Sequence, residues 1–334
     1  MPTLSTTLDP RSSSYLERRQ AMLARLDELD ETLAAARTRV RARERVELLL
    51  DRDAPFLELR TVTGSALVGG VGQVEGVHCL VVADEPGTIE GTGDRAKAYR
   101  LAGLAAESGL PLIHLAEPGR AHPERRRVPA VVAVLFGGGT APSADYTVAV
   151  RPAAAEADFL AEDERDAIRL ARLCLRRLDR PAPVPPPGLA EPPKYDLDDL
   201  VGTADVREVL ARVLDGSEFE EFQPRSGTDL LAGWGAVYGY PVGVLSGGPG
   251  DLKAARFAEL VRDSGTPLIC LGSAPVPTPD LAVTLTPGDP AYRARLLLAW
   301  PYPGASAEAD AVIDPRDTRT ALGIALATVA RRCA

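Results

Sequence analysis

The chain is written twice. Val46-Glu47-Leu48-Leu49-Leu50-Asp51 followed by Phe56-Leu57-Glu58-Leu59 returns as Val209-Leu210-Ala211-Arg212-Val213-Leu214-Asp215 followed by Phe219-Glu220-Glu221-Phe222. Gly72-Gln73-Val74-Glu75-Gly76 answers Gly235-Ala236-Val237-Tyr238-Gly239 at a spacing of 163, and Ser108-Gly109-Leu110-Pro111-Leu112-Ile113 answers Ser264-Gly265-Thr266-Pro267-Leu268-Ile269 at 156. A period this long is not a solenoid repeat, so each copy is expected to be a domain with its own core. The fall from 163 to 156 places a loss of about seven residues between the strand Gly239 to Val244 and the helix at Lys253.

The elements inside each copy follow α/β grammar. Cys79-Leu80-Val81-Val82-Ala83 and Leu112-Ile113-His114-Leu115 read as strands, with the helical stretch Arg95 to Glu107 between them. Ahead of the first copy, residues 13 to 50 read as one long amphipathic arm, with Leu26, Leu29, Leu33, Ala36 and Val40 at steps of three and four and Ser12 or Ser13 as cap. Such an arm packs either on its own domain or on another subunit. Residues 181 to 193 hold seven prolines and make a semi-rigid spacer. The expected division is an arm at 1–50, a first domain at 51–180, a linker at 181–194 and a second domain at 195–334.

Charge and composition exclude some classes of function. A net charge of -9 and a pI near 5.1 argue against a nucleic-acid or anionic-membrane partner, which needs a dense positive field. There is no run of 18 apolar residues and no basic-then-apolar leader, so the expected location is cytoplasmic. Cys79, Cys174, Cys270 and Cys333 stand singly, and His78, His114 and His122 are dispersed, so no metal site is expected.

Further motifs identify a family. Arg43-Glu44-Arg45-Val46-Glu47-Leu48-Leu49-Leu50-Asp51 with Phe56-Leu57-Glu58-Leu59, then Ser-Gly-Leu-Pro-Leu-Ile, resembles the opening of the carboxyltransferase beta subunit of biotin-dependent acyl-CoA carboxylases. Tyr195-Asp196, the block from Val213 to Phe222, Lys253-Ala254-Ala255-Arg256-Phe257, Ala299-Trp300-Pro301 and Val312-Ile313-Asp314-Pro315 through Asp317-Thr318-Arg319 resemble its second domain, in the family's order. The resemblance runs from about residue 15 to the end. It implies two crotonase-like ββα-spiral domains in tandem, a homodimer or higher oligomer, and a coenzyme A thioester as substrate. Backbone amides of Gly-rich turns would then stabilise an enolate in one domain and the biotin ureido oxygen in the other.

On that resemblance, Gly137, Gly138 and Gly139 are the candidate oxyanion donors, although three glycines after a strand also serve a turn that needs positive φ. Where the family carries Asp-Ser-Gly-Gly-Ala and a long helix, this chain has only Arg120 to Arg127. Where it carries a second Gly-Gly turn, this chain reads Pro279 to Pro290 without one. Gly247 and Gly248, before the helix at Lys253, are the second half-site candidates, as an amide cradle or as a trimmed turn. Arg95, Lys97 and Arg120 are candidates for the phosphates of coenzyme A, with Lys253 and Arg256 as echoes. Single cations on a helix face read first as solvent-exposed. His114 reads as a satisfied core or rim histidine before it reads as a base. No Met-Lys-Met carrier motif occurs, so no cofactor is covalently held and biotin would arrive on a carrier subunit or another partner. Two functions stay open. One is enolate chemistry on an acyl- or carboxyacyl-CoA, by decarboxylation or carboxyl transfer; the other is a non-catalytic subunit beside a full-length homologue.

Overall fold

The computed structural model describes residues 3, 5, 6, 8–37, 40–59, 65–88, 90–118, 128–136, 144–150, 157–178, 188–225, 229–248, 252–273, 278–287, 289, 294–305 and 309–329, with the side chains of 28–41 outside the description. The chain divides into two compact units. One holds Thr32–Val184, and the other holds Pro185–Ala334 together with Met1–Glu31.

The first unit orders its strands along the sheet as they come in the chain: β1 (Leu57–Glu58), β2 (Val68–Val74), β3 (Val77–Ala83), β4 (Leu112–Ala116), β5 (Val131–Leu135), β6 (Tyr146–Val150) and β7 (Phe159–Ala161). The pairs β1–β2 and β2–β3 are antiparallel and every later pair is parallel. Helices α2 (Val40–Leu49), α3 (Thr92–Ser108) and α4 (Glu164–Arg177) complete it, after α1 (Ser13–Arg37). β4 and β5 are buried along their whole length, as near-continuous apolar runs in a parallel sheet require.

The second unit repeats that topology element for element. After α5 (Val206–Val213) come β8 (Glu220–Glu221), β9 (Leu230–Val237), β10 (Tyr240–Gly247), α6 (Leu252–Asp263), β11 (Leu268–Leu271), β12 (Leu281–Thr284), β13 (Leu296–Ala299), β14 (Ala311–Val312) and α7 (Thr318–Val329), with two antiparallel pairs and then four parallel ones. The seven lost residues fall after β10: fourteen positions separate Ala83 from Lys97, whereas seven separate its counterpart Ser246 from Lys253.

A shared lock explains why the hairpin motif recurs. The two-residue turns Glu75-Gly76 and Tyr238-Gly239 have both residues at positive φ, the geometry that matches strand twist in a tight hairpin. In the first copy the Asp51 carboxylate accepts the amides of Glu75 and Gly76 at 2.9 and 2.8 Å, and Arg172 of α4 binds that carboxylate at 2.7 Å. In the second, Asp215 accepts the amides of Tyr238 and Gly239 at 2.9 and 2.7 Å, and Arg319 of α7 binds it at 2.7 Å. Each arginine also caps the helix before its aspartate, Arg172 through the carbonyls of Leu49 and Leu50, Arg319 through that of Val213.

The described residues of the expected arm are helical over Ser13–Arg37 and Val40–Leu49, with residues 38 and 39 outside the description. Ser12 caps α1, its hydroxyl accepting the Tyr15 amide at 3.3 Å. Tyr15, Met22 and Leu26 are buried, and the Arg18 guanidinium donates to the Gly202 carbonyl, so the start of α1 packs on the unit of the second copy. Leu29, Leu33, Ala36 and Val40 of the expected stripe have side chains outside the described residues.

Candidate functional site

In each copy the parallel strands β3–β6 or β10–β13 end at one edge, and the register aligns the two edges residue by residue. Gly70 and Gly233 are equivalent by the repeat, and they pair with Val81 and Val244. Those pair with Ile113 and Ile269, which pair in turn with Val132 and Leu281. Asp84, His114, Glu117 and Phe136 in the first copy therefore stand where Gly247, Cys270, Ser273 and Leu285 stand in the second. Counting on, Gly137 and Gly138 correspond to Thr286 and Pro287.

The first edge is ionisable. Asp84, at 3% exposure, lies 3.2 Å from Nε2 of the buried His114 and accepts the Glu117 amide at 3.2 Å. Arg45 of α2, 4% exposed, donates through Nε and Nη2 to Glu164 at 3.1 and 2.7 Å and through Nη1 to Glu117 at 2.5 Å. Its guanidinium carbon sits 3.7 Å from the centroid of the Phe136 ring. Burial works against its charge, but hydrogen bonds and attraction from Glu164 and Glu117 more than offset this, and the Arg45 pKa is raised. One side chain thus joins the ends of β4 and β5 to the first turn of α4. A cavity of about 310 Å³ opens beside it, lined by Glu44, Arg45, Leu48, Glu164 and Ile168 among others.

At the second edge Gly247, Cys270 and Ser273 stand in place of Asp84, His114 and Glu117, and several of its amides are committed. Gly247 donates to the Ser273 carbonyl and Gly248 to that of Asp229. Gly247 has φ +126, and an added Cβ would lie 2.1 Å from the Asp229 carbonyl oxygen, so a glycine is required there by the close approach of the backbone. Where the first copy runs on from Phe136 into glycines, Leu285 and Thr286 donate their amides to the Asp289 carboxylate at 2.6 and 2.9 Å, and Pro287 has no N–H. The described residues of this edge do not fit the role of a cradle for the biotin ureido oxygen.

The remaining predicted residues divide. Gly137, Gly138, Gly139 and Arg120 lie outside the described residues. Arg95 is on the exposed side of α3, paired with Glu90 at 2.9 Å, and Arg256 is likewise exposed, beside Glu259. Lys97 and Lys253, expected on open helix faces, are 2% and 3% exposed and donate to the carbonyls of Leu67 and Leu230, 2.6 and 2.9 Å away. A lysine that recurs at equivalent positions with equivalent partners is accounted for by the fold. Arg45, Glu117, Glu164 and Phe136 were not predicted as site residues; their signal was the Arg-Glu-Arg opening, which recurs in the second copy only as Arg207-Glu208.

Two tandem α/β units that share one crotonase-like topology define the class of protein. The carboxyl transferase domain family matches residues 155–275. The probable biotin-dependent acyl-coenzyme A carboxylase beta2 subunit of Mycobacterium tuberculosis is 32% identical, over 80% of this chain and 69% of that protein. The mitochondrial methylcrotonoyl-CoA carboxylase beta chain of Dictyostelium discoideum is 27% identical, over 80% of this chain and 63% of its own length. The crystal structure of the Pseudomonas aeruginosa geranyl-CoA carboxylase beta subunit superposes with a TM-score of 0.81 at 24% identity, covering 99% of this chain and 97% of that one. The chain belongs to the carboxyltransferase, or beta-subunit, family of biotin-dependent acyl-CoA carboxylases. It spans less than two thirds of the length of the methylcrotonoyl-CoA carboxylase relatives it matches.

Proposed function

We propose that this chain acts on a carboxyacyl-CoA thioester at the strand edge of its first copy, where amides of the Gly137–Gly139 turn stabilise the enolate. The observation that carries this reading is the asymmetry of the two edges. The first continues from Phe136 into three glycines and is anchored by Arg45, whereas the second has committed the amides of Gly247, Gly248, Leu285 and Thr286 to its own oxygens.

Carboxyl transfer needs two anion sites, one for the enolate and one for the biotin oxygen, whereas decarboxylation needs only the first. We therefore favour loss of carbon dioxide. The bond between the α-carbon and the carboxylate breaks, its electron pair enters the thioester as an enolate, carbon dioxide leaves, and a proton from water adds to the α-carbon. Arg95 and Arg120 are the candidates for the phosphates of coenzyme A, and buried Lys97 supports β2 instead. A second reading, a subunit that accompanies a full-length homologue or a biotin carrier, is favoured by the same committed amides if transfer is the reaction of the assembly. In either case the protein is expected to be a homodimer or a larger oligomer.

The test is calorimetric titration with malonyl- and methylmalonyl-CoA, followed by assay of carbon dioxide release without biotin. Binding with turnover supports the proposal. No heat and no turnover with either thioester overturns it in favour of the accompanying-subunit reading.

A further inference from the structure

Of the 38 lysine and arginine side chains in this sequence, only Lys97, Lys194 and Lys253 are lysines. Lys97 and Lys253 are 2% and 3% exposed, and their ammonium groups are given to the carbonyls of Leu67 and Leu230. Lys194 is exposed. An arginine guanidinium stays protonated and is no nucleophile under these conditions. The folded chain therefore offers a single lysine amine to an electrophile in solution.

That amine holds something in place. The Lys194 amide donates to the Ser217 hydroxyl at 2.9 Å, and this hydroxyl donates to the Ala211 carbonyl of α5, so the backbone of Lys194 is fixed to the second copy's unit. Its Nζ then donates to the hydroxyl of Thr3 at 3.1 Å. Thr3 makes an antiparallel bridge with Glu218, the Tyr195 hydroxyl accepts the Thr6 amide at 3.4 Å, and the Thr6 hydroxyl donates to Glu208. The tip of the N-terminal segment is thus seated by polar contacts, with one ammonium among them. Further along, the seat is of another kind. Tyr15, Met22 and Leu26 are buried, and a Cβ on Gly202 would lie 2.1 Å from the Tyr15 ring.

We propose that Lys194 is an acylation site for a coenzyme A thioester, and that acylation unlatches Thr3 and Thr6 while the anchor from Tyr15 to Leu26 stays seated. The unprotonated amine attacks the thioester carbonyl. A C–N bond forms, the C–S bond breaks, and the departing thiolate takes up the proton that the nitrogen gives up. The products are an N-acyl-lysine and free coenzyme A. The thioester carries its own activation, so no further reactant is needed. The ammonium charge is lost, and with it the charge-assisted bond to Thr3. The inference shares only the class of reagent with the proposed function and requires no turnover.

The test uses the full-length protein and acetyl-CoA, which has no carboxylate to lose, at mildly alkaline pH. Peptide mass spectrometry should find Lys194 acetylated at least about tenfold faster than Lys97 and Lys253 in native protein, and all three at comparable rates in denaturant, because buried amines react only through opening. In hydrogen-exchange mass spectrometry, the peptide spanning Thr3 and Thr6 should exchange about fivefold faster or more after acetylation, with the peptide from Tyr15 to Leu26 unchanged. Lys194→Gln should reproduce the faster exchange without reagent. Lys194→Arg, which keeps the charge and cannot be acylated, should retain wild-type exchange with acetyl-CoA present. Lys97 or Lys253 labelled as fast as Lys194 in native protein, no label on Lys194, or acetylated protein whose tip exchanges as before would each overturn the inference. Carbon dioxide release from malonyl-CoA bears on the proposed function alone, so the two can fail separately.

Discussion

Arg319→Met is the substitution that most sharply tests the repeated lock. The Arg319 and Asp215 side chains are 5% and 8% exposed, so the change leaves a buried carboxylate with two amide donors and no counter-charge. It also strips a donor from the carbonyls of Val213 and Glu191 and removes the cation lying 4.4 Å from the Tyr238 ring. Breaking one partner out of a buried pair costs about 3–5 kcal/mol. Arg172→Met is the control, because Arg172 and Asp51 are 26% and 23% exposed and water can take over part of the lost bonding. Its cost is about 1–3 kcal/mol. Both tryptophans, Trp234 and Trp300, lie in the second copy's unit, so selective tryptophan excitation reports that unit and avoids treating the whole chain as two-state. With a urea m-value of about 2 kcal/mol per molar, the Arg319→Met midpoint is expected to fall by roughly 2 M. Arg172→Met should leave the tryptophan transition in place and shift the remaining far-ultraviolet transition. An Arg319→Met midpoint within about 0.5 M of wild type, or equal tryptophan shifts in both variants, would refute the assignment of these arginines to separate, unequally buried locks.

Acid should loosen the first copy's hairpin lock. Burial pushes the Asp51 carboxyl up, but the amides of Gly76 and Glu75 and the Arg172 pair outweigh it; Arg176 and Arg172 likewise hold Glu75 down against burial. Both folded values lie below the unfolded ones, so this stability is fully present above about pH 4–5 and is lost as pH falls through the folded values. Circular dichroism should show Arg172→Met losing structure at higher pH than wild type; coincident acid transitions would contradict this. Burial pushes the Cys270 thiol up to about 12 and the Cys174 thiol up to about 11, and both are enclosed. Iodoacetamide at mildly alkaline pH should label neither in native protein and both in denaturant, as read by peptide mass spectrometry; rapid native labelling would show that these cores open. Gly247→Ala should destabilise the second copy's unit by at least about 1 kcal/mol, because its Cβ meets the Asp229 carbonyl at positive φ, whereas Gly248→Ala meets nothing within 4 Å and should be neutral in the tryptophan-detected transition.

The repeat was legible because it is written in turn chemistry. Gly72 to Gly76 and Gly235 to Gly239 mark one hairpin in each copy, and the 163-to-156 step located the trimmed connection after β10. Lys97 and Lys253 were harder to read, since helical position alone does not show that each ammonium turns inward to a strand carbonyl. Their recurrence in register was the available clue. The Arg45 node was illegible for a different reason. Arg45 and Glu164 are 119 residues apart, and no local spacing brings them together. Only the sheet, by ending β4 and β5 side by side, creates the place where Arg45, Glu117 and Phe136 meet. Gly247 shows the converse, a glycine that resembles an anion cradle in sequence yet is explained by a backbone crossing.

The central claim, that the chemistry belongs to the first copy alone, is tested most directly by the rate of carbon dioxide release from malonyl-CoA in Gly138→Val and Gly248→Val proteins that retain wild-type circular dichroism. Release should be abolished in Gly138→Val, whose side chain would obstruct the amide approach to the enolate, and should persist at the wild-type rate in Gly248→Val, whose amide is already given to Asp229. Release that survives in Gly138→Val, or is lost in Gly248→Val, would contradict the account.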